Sequence, residues 1–67
     1  MSREGKFLVF CMECYRAEKG LTGREVSELF AKYGIYDYVI RYLDSLHTTG
    51  VKYIVADIAD YIRTQAA

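Results

Sequence analysis

Apolar side chains recur along the chain at helical intervals, in four segments that are separated by glycines. Gly20, Gly34 and Gly50 mark the three boundaries, and a glycine just beyond a helix end often takes the left-handed conformation that stops the helix. Apolar spacings of three and four residues are typical of the buried face of a helix. The pattern therefore predicts an all-α fold, a compact bundle of four helices at about residues 4–19, 23–33, 36–47 and 51–64.

The first segment carries a Cys-x-x-Cys pair, Cys11 and Cys14. A redox site of this type begins a helix that follows a strand, because the helix dipole there lowers the thiol pKa. The run KFLVF alone fits a strand, but Phe7, Phe10, Cys11 and Cys14 have continuous helical spacing, which favours one helix. A zinc site needs four ligands, and two cysteines with one histidine supply them only across a dimer. We expect Cys11 to be buried in the helical core, and neither cysteine to be catalytic or metal-bound.

The second segment has the clearest helix start. Thr22 and Glu25 have the spacing of a capping box, in which each side chain accepts the backbone amide of the other. Val26 and the apolar residues that follow keep helical spacing up to Gly34. In the third segment, one predicted face contains Val39, Tyr42, Leu43 and Leu46.

The fourth segment allows two structures at its start. Tyr53, Ile54 and Val55 are residue types that are enriched in strands, so residues 51–56 fit either a helix or a short strand. The helical spacing of the apolar positions continues to Ile62. We expect a helix through most of this segment.

Length and composition predict a single domain, residues 1–67, that has more apolar side chains than it can bury. A chain of 67 residues buries only about 60% of its unfolded surface. Yet 52% of its residues are hydrophobic, which exceeds the usual share. We therefore expect a homodimer, or another protein that covers the surplus.

The charge balance and the cysteine count bear on partners and on the compartment. Nine Lys and Arg residues balance nine Asp and Glu residues, which removes the long-range attraction that drives most nucleic-acid binding. No apolar run has the length of a membrane span, and no signal peptide is recognisable. Two cysteines three residues apart cannot form a disulfide that links distant parts of a fold. We expect a cytoplasmic protein with reduced thiols, no membrane association and no nucleic-acid partner.

The chemistry-bearing residues do not assemble into an active site. The chain has one histidine, His47, in the last turn of the third predicted helix, and no glycine-rich phosphate loop. We expect no enzyme activity and no cofactor. The alternative is a helix-turn-helix DNA-binding regulator that uses residues 22–46. Against it, the would-be recognition helix has one basic residue, Arg41, between Asp37 and Asp44.

Tyrosine is the unusual component of the chain, with seven residues in all. Four of them lie between Tyr33 and Tyr42. A tyrosine has a large apolar body and a polar tip, so it suits both the edge of a core and a protein interface, where it is enriched. If the tyrosines form a protein interface, the candidate interaction residues are Tyr36, Tyr38, Tyr42 and His47.

Three stretches of the chain resemble a small bacterial family of unknown function. These are FLVFCMECY, LTGREVSELFAKYG and LHTTGVKYIVADIADYI. The family pattern has an aromatic-aliphatic-Phe-Cys start, a Leu-His-Thr-x-Gly turn and a Tyr-Ile-Val-x-Asp-Ile element. They fall here on residues 7–11, 46–50 and 53–58. The resemblance covers residues 7 to about 63, and the Leu-His-Thr-x-Gly element is its most specific part.

The resemblance implies a partner more than an activity. The family has no established activity, and its genes often neighbour one for a protein that looks like an ADP-ribosyltransferase. That arrangement suits a small antitoxin-like partner of a neighbouring toxin. The family pattern shares Cys11 without requiring Cys14, which weakens the Cys-x-x-Cys interpretation further. It also implies that His47, Thr48 and Gly50 act together, most simply as a turn that ends a helix, although His47 could instead face a partner.

Overall fold

Five α-helices make up the regular structure of the protein, in a computed structural model that describes residues 2–66. They are α1 (Arg3–Lys19), α2 (Gly23–Lys32), α3 (Ile35–Arg41), α4 (Leu43–Leu46) and α5 (Val51–Ala66). The described part of the chain contains no strand, so the predicted all-α fold is confirmed and residues 51–56 are helical. The radius of gyration is 10.9 Å, close to the roughly 11 Å expected of a compact chain of this length.

The predicted third helix, residues 36–47, is wrong as a single element, because the structure divides it at Tyr42. This residue has φ −106° and ψ 21°. Its amide still donates to the Tyr38 carbonyl at 3.1 Å. The next backbone hydrogen bond along the chain is the one that the Ser45 amide donates to the Tyr42 carbonyl, at 3.1 Å. Residues 38–42 include aromatic and β-branched types, which have weak helix propensity. The backbone therefore gains little from continuing the helix here.

The break separates residues that were expected to share one buried face. Val39, Leu43 and Leu46 are buried, as the spacing predicts, but 45% of Tyr42 remains exposed. A tyrosine at the edge of the core can keep its hydroxyl in water while its ring covers apolar neighbours.

The start of α2 and the ends of α1 and α2 follow the expected local chemistry. The Thr22 hydroxyl accepts the Glu25 amide at 3.1 Å, and the Glu25 carboxylate accepts the Thr22 amide at 2.8 Å, which confirms the capping box. Gly20 and Gly34 are left-handed, with φ of 66° and 64°. Gly50, which was expected to behave likewise, does not have a positive φ.

The core lies where α1 packs against α2 and α5, and α2 against α3. Phe30 of α2 is fully buried at its centre. Its ring makes edge-to-face contacts with Tyr15 of α1, at 5.8 Å between centroids, and with Tyr36 of α3, at 5.9 Å. The buried apolar residues are Cys11, Tyr15, Val26, Phe30, Ile35, Val39, Leu43, Leu46, Ile54, Val55 and Ile58.

Cys11 is completely buried in this core, as predicted, whereas Cys14 is only partly buried. Burial, and secondarily the neighbouring Cys14 thiol, raises the pKa of Cys11 to about 12. Burial and then Glu13 also raise the pKa of Cys14. Both shifts oppose formation of a thiolate, the form that acts as nucleophile and metal ligand.

Replacing Cys11→Ser should lower the free energy of unfolding by about 1–3 kcal/mol, because the serine hydroxyl would be buried among apolar side chains without a hydrogen-bond partner. The matched change Cys14→Ser should cost clearly less, since that side chain reaches solvent. Urea unfolding followed by circular dichroism measures both. Equal losses in the two variants would contradict the placement of Cys11 in the core.

Replacing Gly34→Ala should destabilise the protein by about 1 kcal/mol, because a side chain is strained in the left-handed region. A Cβ at this position would meet no atom within 4 Å, so crowding adds nothing to the cost. Gly50→Ala is the matched control: its surroundings are equally open and its φ is not positive. It should leave stability unchanged or slightly raised. A loss at Gly50 as large as that at Gly34 would refute the backbone explanation.

Candidate interaction surface

Two rows of side chains meet along the seam between α3 and α5. Tyr38 of α3 lies four residues before Tyr42, the residue that follows the last residue of α3 and whose amide still donates to the Tyr38 carbonyl. Tyr53, Asp57 and Tyr61 repeat every four residues along α5. Residues at this spacing lie above one another on the same side of a helix. Helical periodicity therefore supplies a tyrosine pair from one helix and a Tyr-Asp-Tyr row from the other.

Tyr38 joins the two rows by one hydrogen bond and one ring contact, and it makes a second ring contact within its own row. Its hydroxyl donates to Asp57 Oδ2 at 2.5 Å, a short bond of the kind that a charged acceptor favours. Its ring stacks on Tyr61 with centroids 4.0 Å apart, and lies 5.1 Å from that of Tyr42. Burial and the bond to the Asp57 carboxylate both raise the pKa of Tyr38, so its hydroxyl remains a donor at neutral pH. These contacts fix Tyr38 and Asp57 in place.

An open cavity of about 170 Å³ lies beside this bond. Tyr42 and Tyr53 are the exposed aromatic members of its wall, at 45% and 61%. Among the described residues of the wall, Asp57 is the one acidic residue and none is basic. The lining consists of Tyr38, Tyr42, Ser45, Leu46, Thr49, Tyr53 and Asp57. We call this cavity and its rim the tyrosine pocket.

The four candidate interaction residues do not form one group. The structure brings Tyr38 and Tyr42 together in the tyrosine pocket. Tyr36 lies on another flank of α3, where its ring packs edge-to-face on Phe30, at 5.9 Å. For Tyr36 the contact is that of a core-edge residue, the first of the two interpretations of the tyrosines.

His47 lies at the end of α4 and outside the lining of the tyrosine pocket. Its Nδ1 is 2.8 Å from the Leu43 carbonyl, and since a carbonyl only accepts, Nδ1 carries the proton. The next two side chains close the same helix end: Thr48 Oγ1 donates to the Ser45 carbonyl at 3.0 Å, and Thr49 Oγ1 to that of Leu46 at 2.7 Å. His47 is thus part of a helix-ending turn, and its contact with a partner stays a prediction.

Tyr53, Asp57 and Tyr61 were not among the residues singled out from the sequence. Their spacing of four is visible in the sequence, and it matches the spacing of Tyr38 and Tyr42. This spacing did not single the residues out, because Tyr53 lies in a run of residue types that favour strands and Asp57 is a residue type that often caps a helix. What the sequence could not supply is the contact between the two rows.

The described residues carry little that would support other kinds of site. Among residues 2–66, no three His, Cys, Asp or Glu side chains are grouped to hold a metal ion. Within the same range, no helix combines the length and the apolar character needed to cross a membrane. A second cavity, of about 220 Å³, is formed by four residues of α2 alone and includes two carboxylates beside Lys32.

Replacing Tyr38→Phe should reduce the free energy of unfolding at pH 7 by about 1 kcal/mol, because the hydrogen bond to Asp57 is lost. The wild-type bond should also weaken in alkali. The unfolded tyrosine ionises near its ordinary pKa of 10.0, whereas the folded one holds its proton more tightly. Its contribution is therefore complete below pH 10 and is lost as the pH rises through the raised folded pKa.

Chemical unfolding of wild type and Tyr38→Phe from pH 7 to 11 tests this expectation. Burial also raises the pKa of Cys11, to about 12, which adds a pH dependence of its own, so the difference between the stabilities of the two proteins is the quantity to follow. It should be constant up to about pH 10 and then shrink. Tyr36→Phe is the control, and its free energy of unfolding should change with pH in the same way as that of wild type. A difference that grows above pH 10 would refute the assigned hydrogen bond.

Comparison with known proteins gives one family match. The match is to a family described as "Protein of unknown function (DUF3791)", and it covers residues 6–65. No curated protein and no solved structure matches the chain. The resemblance inferred from the sequence agrees with this in that both point to a family of unknown function. Since the match extends over nearly the whole sequence, the chain belongs to the DUF3791 family.

Proposed function

We propose that this protein is a cytoplasmic, non-enzymatic interaction module whose protein partner binds at the tyrosine pocket. The observation that carries the proposal is the exposure of Tyr42 and Tyr53 beside a cavity in which the side chains of Tyr38, Thr49 and Asp57 are hydrogen-bonded. Large aromatic side chains that are left in water cost free energy, and a partner that covers them recovers it. Tyrosine is also among the residues that most often dominate binding energies at interfaces.

The fixed geometry of the pocket supports the same proposal. Tyr38 and Asp57 are locked by their hydrogen bond, and the Tyr38 ring is stacked on Tyr61. A surface that is already ordered loses less conformational entropy on binding, and so more of the contact energy appears as affinity. Other exposed apolar side chains, among them Val9 and Ile40, provide further area for a homodimer contact.

The finer proposal is that the partner is a toxin encoded beside this protein, with the module acting as its antitoxin. It rests on the gene neighbourhood that the family resemblance implies, next to an ADP-ribosyltransferase-like protein. A small domain with an ordered aromatic surface suits this task, since neutralisation requires tight binding and no chemistry. The proposal requires that the two proteins form a stable complex.

The alternative, a helix-turn-helix regulator that uses residues 22–46, gains no support from the described surface. The would-be recognition helix α3 is only seven residues long. Its exposed side chains are those of Asp37, Ile40 and Arg41, of which one is basic. Four of the five arginines also have a carboxylate within 4 Å, which reduces the local positive field that attracts phosphate.

The experiment compares three tagged proteins as baits in the native host: wild type, the double variant Tyr42→Ser/Tyr53→Ser, and Phe10→Ser. Phe10 and Tyr42 are equally exposed, at 45%, so Phe10→Ser controls for the loss of any exposed aromatic ring. Quantitative mass spectrometry should show a protein that wild type and Phe10→Ser retain. The double variant should retain it about tenfold less, as expected when interface tyrosines are truncated.

Co-expression tests the antitoxin proposal directly. The neighbouring ADP-ribosyltransferase-like protein should arrest growth when produced alone, and wild type and Phe10→Ser should relieve the arrest and co-purify with it. The double variant should fail at both. Circular dichroism of each bait shows that it is folded. Equal retention by all three baits would place the interface elsewhere, and recovery of no partner would reject the function.

A further inference from the structure

The tyrosine pocket has the composition of a site for an organic cation. Three of its wall residues are tyrosines, and one, Asp57, is a carboxylate. The face of an aromatic ring carries partial negative charge and attracts a cation within about 6 Å. No described wall residue is a lysine, arginine or histidine that could supply the cation from within. The combined field of the rings and the carboxylate therefore favours a positive ligand.

Asp57 has a different kind of neighbour from the four ion-paired carboxylates of this small protein. Glu13, Glu28, Asp44 and Asp60 each have an arginine within 4 Å. Asp57 is in none of the described ion pairs, and its recorded partner is the neutral Tyr38 hydroxyl on Oδ2. That bond orients the carboxylate without neutralising it. The charge of Asp57 remains available to a ligand in the cavity, with Oδ1 as a further acceptor.

The size of the cavity restricts the ligand to a head group. At about 170 Å³ it is smaller than the roughly 300–1,000 Å³ of sites that enclose a drug-sized molecule. A guanidinium group is flat, stacks on aromatic rings, is weakly hydrated and donates several N–H bonds to a carboxylate. A lysine ammonium is more strongly hydrated and has no flat face to place against a ring.

We infer that the tyrosine pocket binds the guanidinium group of an arginine side chain presented by the partner protein. The inference rests on the proposed function, and it names the contact that would give that interface its specificity. Tyr42 and Tyr53 at the rim would cover the guanidinium, and Asp57 would accept its N–H groups. An uncharged side chain of similar shape would leave Asp57 desolvated without compensation, so the site selects for charge.

The test is an NMR titration of the ¹⁵N-labelled protein with ethylguanidinium chloride, at low millimolar concentration and constant ionic strength. N-ethylurea, of nearly the same shape but uncharged, is the matched ligand. Ethylguanidinium should give saturable amide shifts around residues 38–57, and ethylurea should not. Saturation by ethylurea at the same concentrations, or no saturable shift with ethylguanidinium, would overturn the inference. So would equally tight binding of methylammonium, which would point to lysine instead.

Three variants assign the binding to the pocket. Asp57→Asn keeps the shape and can still accept the Tyr38 hydroxyl, so it removes only the charge; Tyr53→Leu removes one ring. Both should bind ethylguanidinium about fivefold more weakly or worse, while the control Phe10→Leu should bind as wild type does. Unchanged binding in Asp57→Asn would overturn the inference.

The outcomes for the inference and for the proposed function are separable. If Tyr42→Ser/Tyr53→Ser loses the partner while Asp57→Asn retains both the partner and its ethylguanidinium affinity, the interaction function stands and the arginine contact is refuted. If ethylguanidinium binds as expected but no partner is recovered, the pocket chemistry stands and the interaction function is refuted. Self-association that Arg41→Gln abolishes would put a second copy's arginine in the pocket, and would overturn the assignment to another protein.

Discussion

The edge-to-face packing of Phe30 holds α2 against both α1 and α3 in the core of this small protein. Its ring touches Tyr15 of α1 on one side and Tyr36 of α3 on the other. A chain of this length has room for few fully buried side chains, so a single ring that contacts two other helices carries a large share of the tertiary specificity. Ile54 and Ile58 of α5 complete the same buried cluster. The orientation of α3 relative to α5, on which the tyrosine pocket depends, is therefore set by the core.

The limited size of the core also explains why tyrosine is so frequent. The side chains of each helix must cover the apolar surface of the neighbouring helices. Where two helices meet at the protein surface, however, one side of such a side chain faces water. Tyrosine satisfies both requirements, and Tyr38 does so by turning its hydroxyl to Asp57 on the next helix. Tyr53 makes none of the described side-chain hydrogen bonds, and 61% of it is exposed. The same amphipathic property thus makes Tyr36 a structural residue and Tyr53 a candidate contact.

Local rules predicted the parts of the structure that depend on neighbours in sequence. The capping box of Thr22 and Glu25 and the left-handed Gly34 involve residues only a few positions apart, and the burial of Cys11 follows from the periodicity of its own helix. The break at Tyr42 was missed because it carries neither proline nor glycine, the usual signs of a helix end. The tyrosine pocket was only half predicted, since the bond between Tyr38 and Asp57 spans 19 positions. Which flank of α3 meets which flank of α5 is decided by packing across the whole core.

The turn between α4 and α5 contributes both to a local helix end and to the tyrosine pocket, which is formed by residues distant in sequence. His47, Thr48 and Thr49 side chains donate to three carbonyls of α4. The His47 and Thr49 backbone amides donate to two of the same carbonyls, those of Leu43 and Leu46, so the end of the short helix is well satisfied. The closed turn leads straight into α5, whose Ile54 amide donates to the Gly50 carbonyl at 3.0 Å. Leu46 and Thr49 of this turn line the tyrosine pocket together with Tyr53 and Asp57 of α5. The stretches that carry the family resemblance, residues 46–50 and 53–58, thus both end the short helix and form one wall of the cavity. A substitution that loosens the turn should therefore alter the pocket as well as the helix end, because the same backbone determines both.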